Sequence, residues 1–241
     1  MIGYLQKLLS ISDVALCNSE PNLPTNLREM CGSVTDQLIQ LLQQRNGFYA
    51  FEGALHVLPS NCVTSDVSID ADARQLQTGR VLLSKDDQGR LIGWPMDLER
   101  WNMDVLWRSE FEAAANGLLF FAEDAFGEQF ALSNGKVWRF NPESAAREEI
   151  ARDLEEWAEK ILADYSFETG YQQAHDWQQQ NGQLMEGQRL IPKIPFIMGG
   201  KYEADNLFAL DAVKGMRYRA DIWKQIRDLP DGTSIQLKVL W

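Results

Sequence analysis

Two histidines and three cysteines in 241 residues leave little material for the common metal and nucleophile chemistries. Cys17, Cys31 and Cys62 are odd in number, widely spaced and without a Cys-x-x-Cys, which excludes a disulfide framework and a zinc ribbon. Idle thiols in a reducing cytosol are the expectation. His56 stands in an alternating stretch and His175 in a polar helical one. Neither has a second ligand at helical spacing or a Gly-x-Ser-x-Gly neighbourhood, so both are expected to be structural. Gly199-Gly200-Lys201 lacks the spacing of a phosphate-binding loop, and Tyr202 stands where that loop needs Ser or Thr. No metal and no cofactor are expected.

Basic residues are scarce as well. Lys and Arg number 23 against 35 Asp and Glu, a net charge of −12. Such a surface repels phosphate backbones, because nucleic-acid binding needs cations that displace counterions. DNA and RNA are therefore excluded as partners. No apolar run approaches membrane-spanning length, and the stretch from Met1 to Leu9 lacks the basic start and long apolar core of a leader peptide. A cytoplasmic protein without a membrane partner is expected.

What the chain has in quantity is rings: eight Trp, eleven Phe and six Tyr, enough to fill a large core without staples. They concentrate in the stretch Asn116 to Pro142, which reads as three strands. Leu118 to Ala122 is a short apolar run suited to a strand covered on both faces. Gln129 to Leu132 alternates, and Asn134-Gly135 supplies two residues tolerant of positive φ, hence a type I′ turn. That turn sets Ser133 against Lys136, Leu132 against Val137 and Ala131 against Trp138. The charged segment between the first two strands, Glu123 to Glu128, is expected to be a loop in water.

Around this meander the pattern is mixed. Residues 1–25 read as an arm in which Leu5, Leu8 and Leu9 dock as one helical turn. Val34, Leu38, Leu41 and Leu42 share a helix face that ends at Asn46-Gly47. Phe48 to Pro59 alternates as one or two strands. Asn61 to Gly79 reads as loop, Val81 to Leu83 and Leu91 to Trp94 as strands, and Leu98, Trp101 and Val105 as one helix face. The longest helix is expected to start at Pro142 or Ser144, with Ile150, Leu154, Trp157 and Ile161 as its stripe. Thr169 to Gln180 reads as another helix, closed by Asn181-Gly182. Ile222, Ile226 and Leu229 mark a helix stopped by Pro230, and Ile235 to Trp241 a last strand. The expected fold is α+β, a mostly antiparallel sheet flanked by helices. Residues 26–165 would form the main domain, and 166–241 an α+β extension packed on the same body.

Acid/base chemistry has one candidate pair, Glu123-Asp124, with His56 as a further group. Neighbours in a strand point to opposite faces, and no partner acid is assignable, so an enzyme is the least favoured class. The order of features resembles the SUKH superfamily of cell-wall-assembly regulators and bacterial toxin-immunity proteins. The residues that carry the resemblance are Leu38 to Phe48, Leu55 to Pro59, Trp101, Trp107, Gly117 to Phe130 and Val137 to Pro142, so it covers roughly Asn26 to Tyr165. It implies a non-enzymatic protein-binding domain. In the immunity branch the partner is a cognate toxin whose active site is blocked; a scaffold of the cell-wall-assembly type is the alternative. A basic nuclease toxin would suit the −12 charge. The expected contact groups are Glu123, Asp124 and Glu128, followed by Asp66, Asp70 and Asp72.

Overall fold

A computed structural model describes residues 3–62, 82–85, 91–94, 96–230, 232, 233 and 236. The chain opens with helix α1 (Tyr4–Ile11), α2 (Thr25–Cys31) and α3 (Thr35–Gln44), then strands β1 (Phe48–Ala50) and β2 (Leu55–Val57). Strands β3 (Leu82–Lys85) and β4 (Leu91–Trp94) pair with each other, and α4 (Leu98–Trp101) is a single turn. The central run is β5 (Leu119–Asp124), β6 (Gln129–Ser133), β7 (Lys136–Asn141) and β8 (Ala146–Ala151). After it come α5 (Leu154–Ala163), α6 (Tyr165–Thr169), α7 (Tyr171–Asn181), β9 (Gln188–Pro192), β10 (Leu207–Asp211) and α8 (Ala212–Ile226). The fold is α+β. Its main sheet is antiparallel with strand order β1-β2-β5-β6-β7-β8, and β9 pairs with β10 separately.

The meander forms as its turn chemistry dictates. Asn134 and Gly135 take φ 50° and 76°, and Ser133 meets Lys136, Leu132 meets Val137 and Ala131 meets Trp138. Alternation then sends side chains to two faces. On one, Phe121 and Phe130 pack edge-on against Trp157 of α5 at 5.1 and 5.6 Å. On the other, Phe120 and Phe140 meet Trp107 and Phe111, and Phe111 reaches Trp223 of α8. Phe111, Phe120, Phe121, Phe130 and Phe140 are wholly buried, a stabilisation of about 1.5–3 kcal/mol each. With both faces covered, β5 is buried along its whole length.

Three expectations change. Ala146 to Ala151 pairs with β7 as an edge strand, and the helix begins later, capped by the Asp153 carboxylate, which accepts from Glu156 N at 2.8 Å. Four charged or small exposed residues, Ala146 to Glu149, suit an edge that must not recruit another strand. Val105 lies outside α4 and is exposed. Cys17 and Cys62 are bonded, with Cα atoms 5.7 Å apart, so of the expected free thiols only Cys31 remains, and it is buried. What brings the pair together is a polar clasp invisible in the spacing. Asn46 Nδ2 donates to Ser19 O at 2.9 Å and to Ser60 O at 2.8 Å, drawing the N-terminal arm onto the end of β2. The expected strand over Ile235 to Trp241 and the loop beyond Cys62 lie outside the described residues, Gln236 aside.

Candidate functional site

The turn that joins β5 to β6 gathers the chemistry of the molecule. Because Glu123 and Asp124 are neighbours on β5, they project to opposite faces and enter two separate settings.

Glu123 faces His56, its register partner on β2. Its Oε1 lies 3.0 Å from His56 Nδ1 and 3.0 Å from Arg189 Nη2 of β9, while Oε2 accepts from Gln129 Nε2 at 3.1 Å. Gln129 Oε1 in turn accepts from Trp101 Nε1 at 2.7 Å. Burial alone would raise the Glu123 carboxyl, but Arg189, His56 and Gln129 outweigh it and hold it at about 2. His56 is driven the other way, down to about 4, by burial first and by Arg189, against the pull of Glu123. It is therefore a neutral imidazole whose Nδ1–H donates to an ionised carboxylate. His56, Glu123 and Arg189 are 0%, 1% and 1% exposed. Closed to solvent, they hold the β9–β10 hairpin on the main sheet.

Asp124 enters the other setting. Its Oδ1 accepts from Phe126 N at 2.9 Å and Glu128 N at 2.8 Å, which shapes the turn. Behind the turn, the guanidinium of Arg219 on α8 donates to the carbonyls of Phe126 and Gly127. Gly170, at φ 67° between α6 and α7, lets the Phe126 ring lie where a Cβ would stand. In front is a cleft of about 560 Å³ bounded by the turn, the end of β7, β8, α6 and Tyr202. Asp124, Glu128 and Glu148 line it against a single cation, Arg139. Arg139 is already engaged by the Glu168 carboxylate and faces Glu128 Oε2 at 3.8 Å; Asn141 Nδ2 donates to Glu128 Oε1 at 2.8 Å. Desolvation, then mutual repulsion with Glu128, pushes Asp124 well above the usual carboxylate range. Glu128 is also raised, by burial first, with Glu143 and Glu148 adding to it and Arg139 and Arg219 opposing.

The structure thus separates residues that the sequence grouped. Glu123 and Asp124, expected on a loop in water, are 1% and 5% exposed, because β5 runs on to Asp124 and β2, β9 and α8 close over its end. Glu123 is a structural group out of a partner's reach, Asp124 is reached only through the cleft, and Glu128 is about a quarter exposed at its edge. Asp66, Asp70 and Asp72 lie outside the described residues. Arg139, Phe167, Arg189, Tyr202 and Arg219 belong to these settings without having been picked out from sequence. The signal that was there is a charge inside an apolar strand, Arg189 before Leu190 and Ile191, which marks a buried ion pair. Among the described residues no group of His, Cys, Asp and Glu is arranged to hold a metal ion, and no helix is long and apolar enough to cross a membrane.

Comparison with known proteins adds the fold alone. No family model and no curated protein matches the sequence. Among solved structures, the crystal structure of Atu4351 from Agrobacterium tumefaciens is similar over 88% of this chain and 86% of that one, with a TM-score of 0.51 at 14% identity. At that identity the likeness extends to architecture and not to activity.

Proposed function

We propose that this chain is a protein-binding module of SUKH type, an immunity protein that holds a cognate basic toxin and blocks its active site. One observation carries the reading: the excess negative charge lies outside. Among the described residues the buried ionisable groups include four arginines, Arg108, Arg189, Arg217 and Arg219, and four acids, Asp97, Glu123, Asp124 and Glu143. The two signs are equal in number, so among the described residues the excess of acids over bases lies on groups that are not buried. A basic enzyme that acts on nucleic acid meets in such a surface the same sign of field as its substrate, and steering raises its association rate. The resemblance in the order of strands and turns supports the same class.

The groups that favoured an enzyme give that class little support, since His56 and Glu123 are occupied with each other and with Arg189 away from solvent. A disulfide is kept in an oxidising compartment and opened in the cytosol, so the Cys17–Cys62 bond bears on the cytoplasmic placement and makes it a matter for a thiol count. The experiment for the function is coexpression with the toxin encoded beside the gene. Survival of the cells and copurification of the toxin, with affinity falling as salt rises, are expected. Cells that die as fast as with the toxin alone would remove the immunity reading.

A further inference from the structure

The cleft in front of Asp124 names what such a partner would insert, an inference that rests on the reading above. We propose that it seats an arginine side chain of the basic partner, with the guanidinium against Asp124 and Glu128 and the stem between Phe167 and Tyr202. Four observations converge. First, three carboxylates and one guanidinium line the cleft, and Arg139 is held by Glu168 and Glu128, so the lining keeps an excess of negative charge. Second, Asp124 is 5% exposed and both of its hydrogen bonds, from Phe126 N and Glu128 N, fall on Oδ1, which leaves Oδ2 to the cleft that Asp124 lines. Third, the rim consists of rings with little cover: Phe167 is 76% and Tyr202 56% exposed. Tyr202 is stacked on Phe196 at 3.8 Å, which fixes its plane. Fourth, the segment that leads to Tyr202 exposes Ile194, Ile197 and Met198, apolar side chains that a partner can cover beyond a single arginine.

Arginine suits this lining better than lysine or a metal ion. Its flat fork donates to two carboxylate oxygens at once and its face stacks on rings, while lysine is a point charge. The volume, about 560 Å³, is that of a recognition pocket. A seated cation also relieves the strain on the acids. The groups that face Asp124 and Glu128 are Arg139 and Asn141 from β7, Glu143 and Glu148 around β8, Arg219 from α8, and Tyr202. Both acids are held above their ordinary range while the cleft is empty, and a seated guanidinium draws them back down, so whatever proton they still hold leaves as arginine enters. Binding then tightens as pH rises through that range and weakens as it falls.

The test uses the full chain and the captured toxin, titrated calorimetrically at two pH values in buffers of different ionisation enthalpy. Wild type is compared with Asp124→Asn/Glu128→Gln, which keeps an oxygen for the turn amides, and with Phe167→Ala, an exposed position outside the core. The expected losses are at least about 10-fold for the double variant, with its proton release gone, and about 3-fold for Phe167→Ala. Wild-type affinity in both variants, with circular dichroism unchanged, overturns the cleft and leaves the immunity reading standing. If the wild type does not bind the toxin, that reading falls, and Nα-acetyl-arginine amide decides the cleft by itself. Its titration should move the Phe167 and Tyr202 ring resonances in wild type and leave them in the double variant. Unmoved rings, or equal shifts in both proteins, overturn the proposal.

Discussion

Arg189 on β9 and Glu123 on β5 form an ion pair sealed from water, 3.0 Å apart with side chains 2% and 1% exposed. Two desolvated charges hold each other only while both are present, so removing one strands the other. Arg189→Met should cost roughly 3–5 kcal/mol, read as a lower denaturant midpoint. Replacing both, Arg189→Met with Glu123→Gln, should recover part of that loss, because no charge is then left buried; the one amide oxygen of Gln can accept from His56, and only the bond from Gln129 is given up. A double variant as unstable as the two single losses added together would show that the residues do not act as a pair.

The same cluster sets an acid limit. His56 keeps a folded pKa of about 4 against an ordinary 6.5, so below 6.5 the unfolded chain takes up a proton that the folded one refuses. Stability therefore falls as pH drops from 6.5 towards about 4 and this contribution levels off beneath. Glu123, held at about 2 against 4.5, withdraws its contribution over the next interval down. Asp124 works in the opposite sense, since a raised carboxyl binds its proton more tightly when folded and favours the acid side. Denaturant midpoints at pH 7 and pH 4.5 should differ in wild type and differ less in His56→Gln. Equal slopes in the two proteins would mean that His56 is not buried neutral.

Where local chemistry decides structure, the sequence was sufficient. Asn134-Gly135 dictated the turn and with it the register of β6 and β7, and Asn181-Gly182 closes α7 as its residues require, with Gly182 at φ 90°. Ala146 to Ala151 misleads because Arg147, Glu148 and Glu149 favour helix, and Ile150 falls in step with Leu154 and Trp157. Pairing with β7 overrides that preference, a choice visible only once the sheet exists. The site failed for a related reason. Glu123 looks like a loop acid beside Asp124 and Gly127, and what buries it comes from His56 and Arg189, distant in the chain.

Asn102 offers a test of how α4 fixes the bulge in β5. The β5–β6 register shifts between Phe120 and Ala122, and Asn102 lies against that point. Its Nδ2 donates to Leu98 O and Phe120 O, both at 2.8 Å, and its Oδ1 accepts from Phe120 N at 2.9 Å. The amide replaces a missing strand neighbour for Phe120. Asn102→Asp removes both donors and buries a charge, and should cost about 3 kcal/mol or more; Asn102→Ala, which leaves the backbone groups unsatisfied, should cost about 1–3 kcal/mol. Faster amide exchange at Phe120 should accompany either loss. Protection of Phe120 equal to wild type in Asn102→Ala would assign the bulge to packing alone.

The Cys17–Cys62 bond spans a sequence separation of 45, which corresponds in the chain-entropy treatment to about 4 kcal/mol of stabilisation. Reduction or Cys17→Ser should therefore lower the melting temperature, with the arm and α1 loosening first because Asn46 and Ser60 clasp that same region. Cys31 has no part in the effect. Burial pushes its thiol up to about 12, so it stays protonated and inert while the protein is folded. Alkylation followed by mass measurement should then find no label on the native protein, one label after denaturation without reductant, and three after denaturation with it. Three labels without reductant, in protein drawn directly from its own cells, would assign the chain to a reducing compartment, where the fold must stand without this clamp. One label there would assign it to an oxidising compartment, and the meeting with a toxin would have to occur on that side.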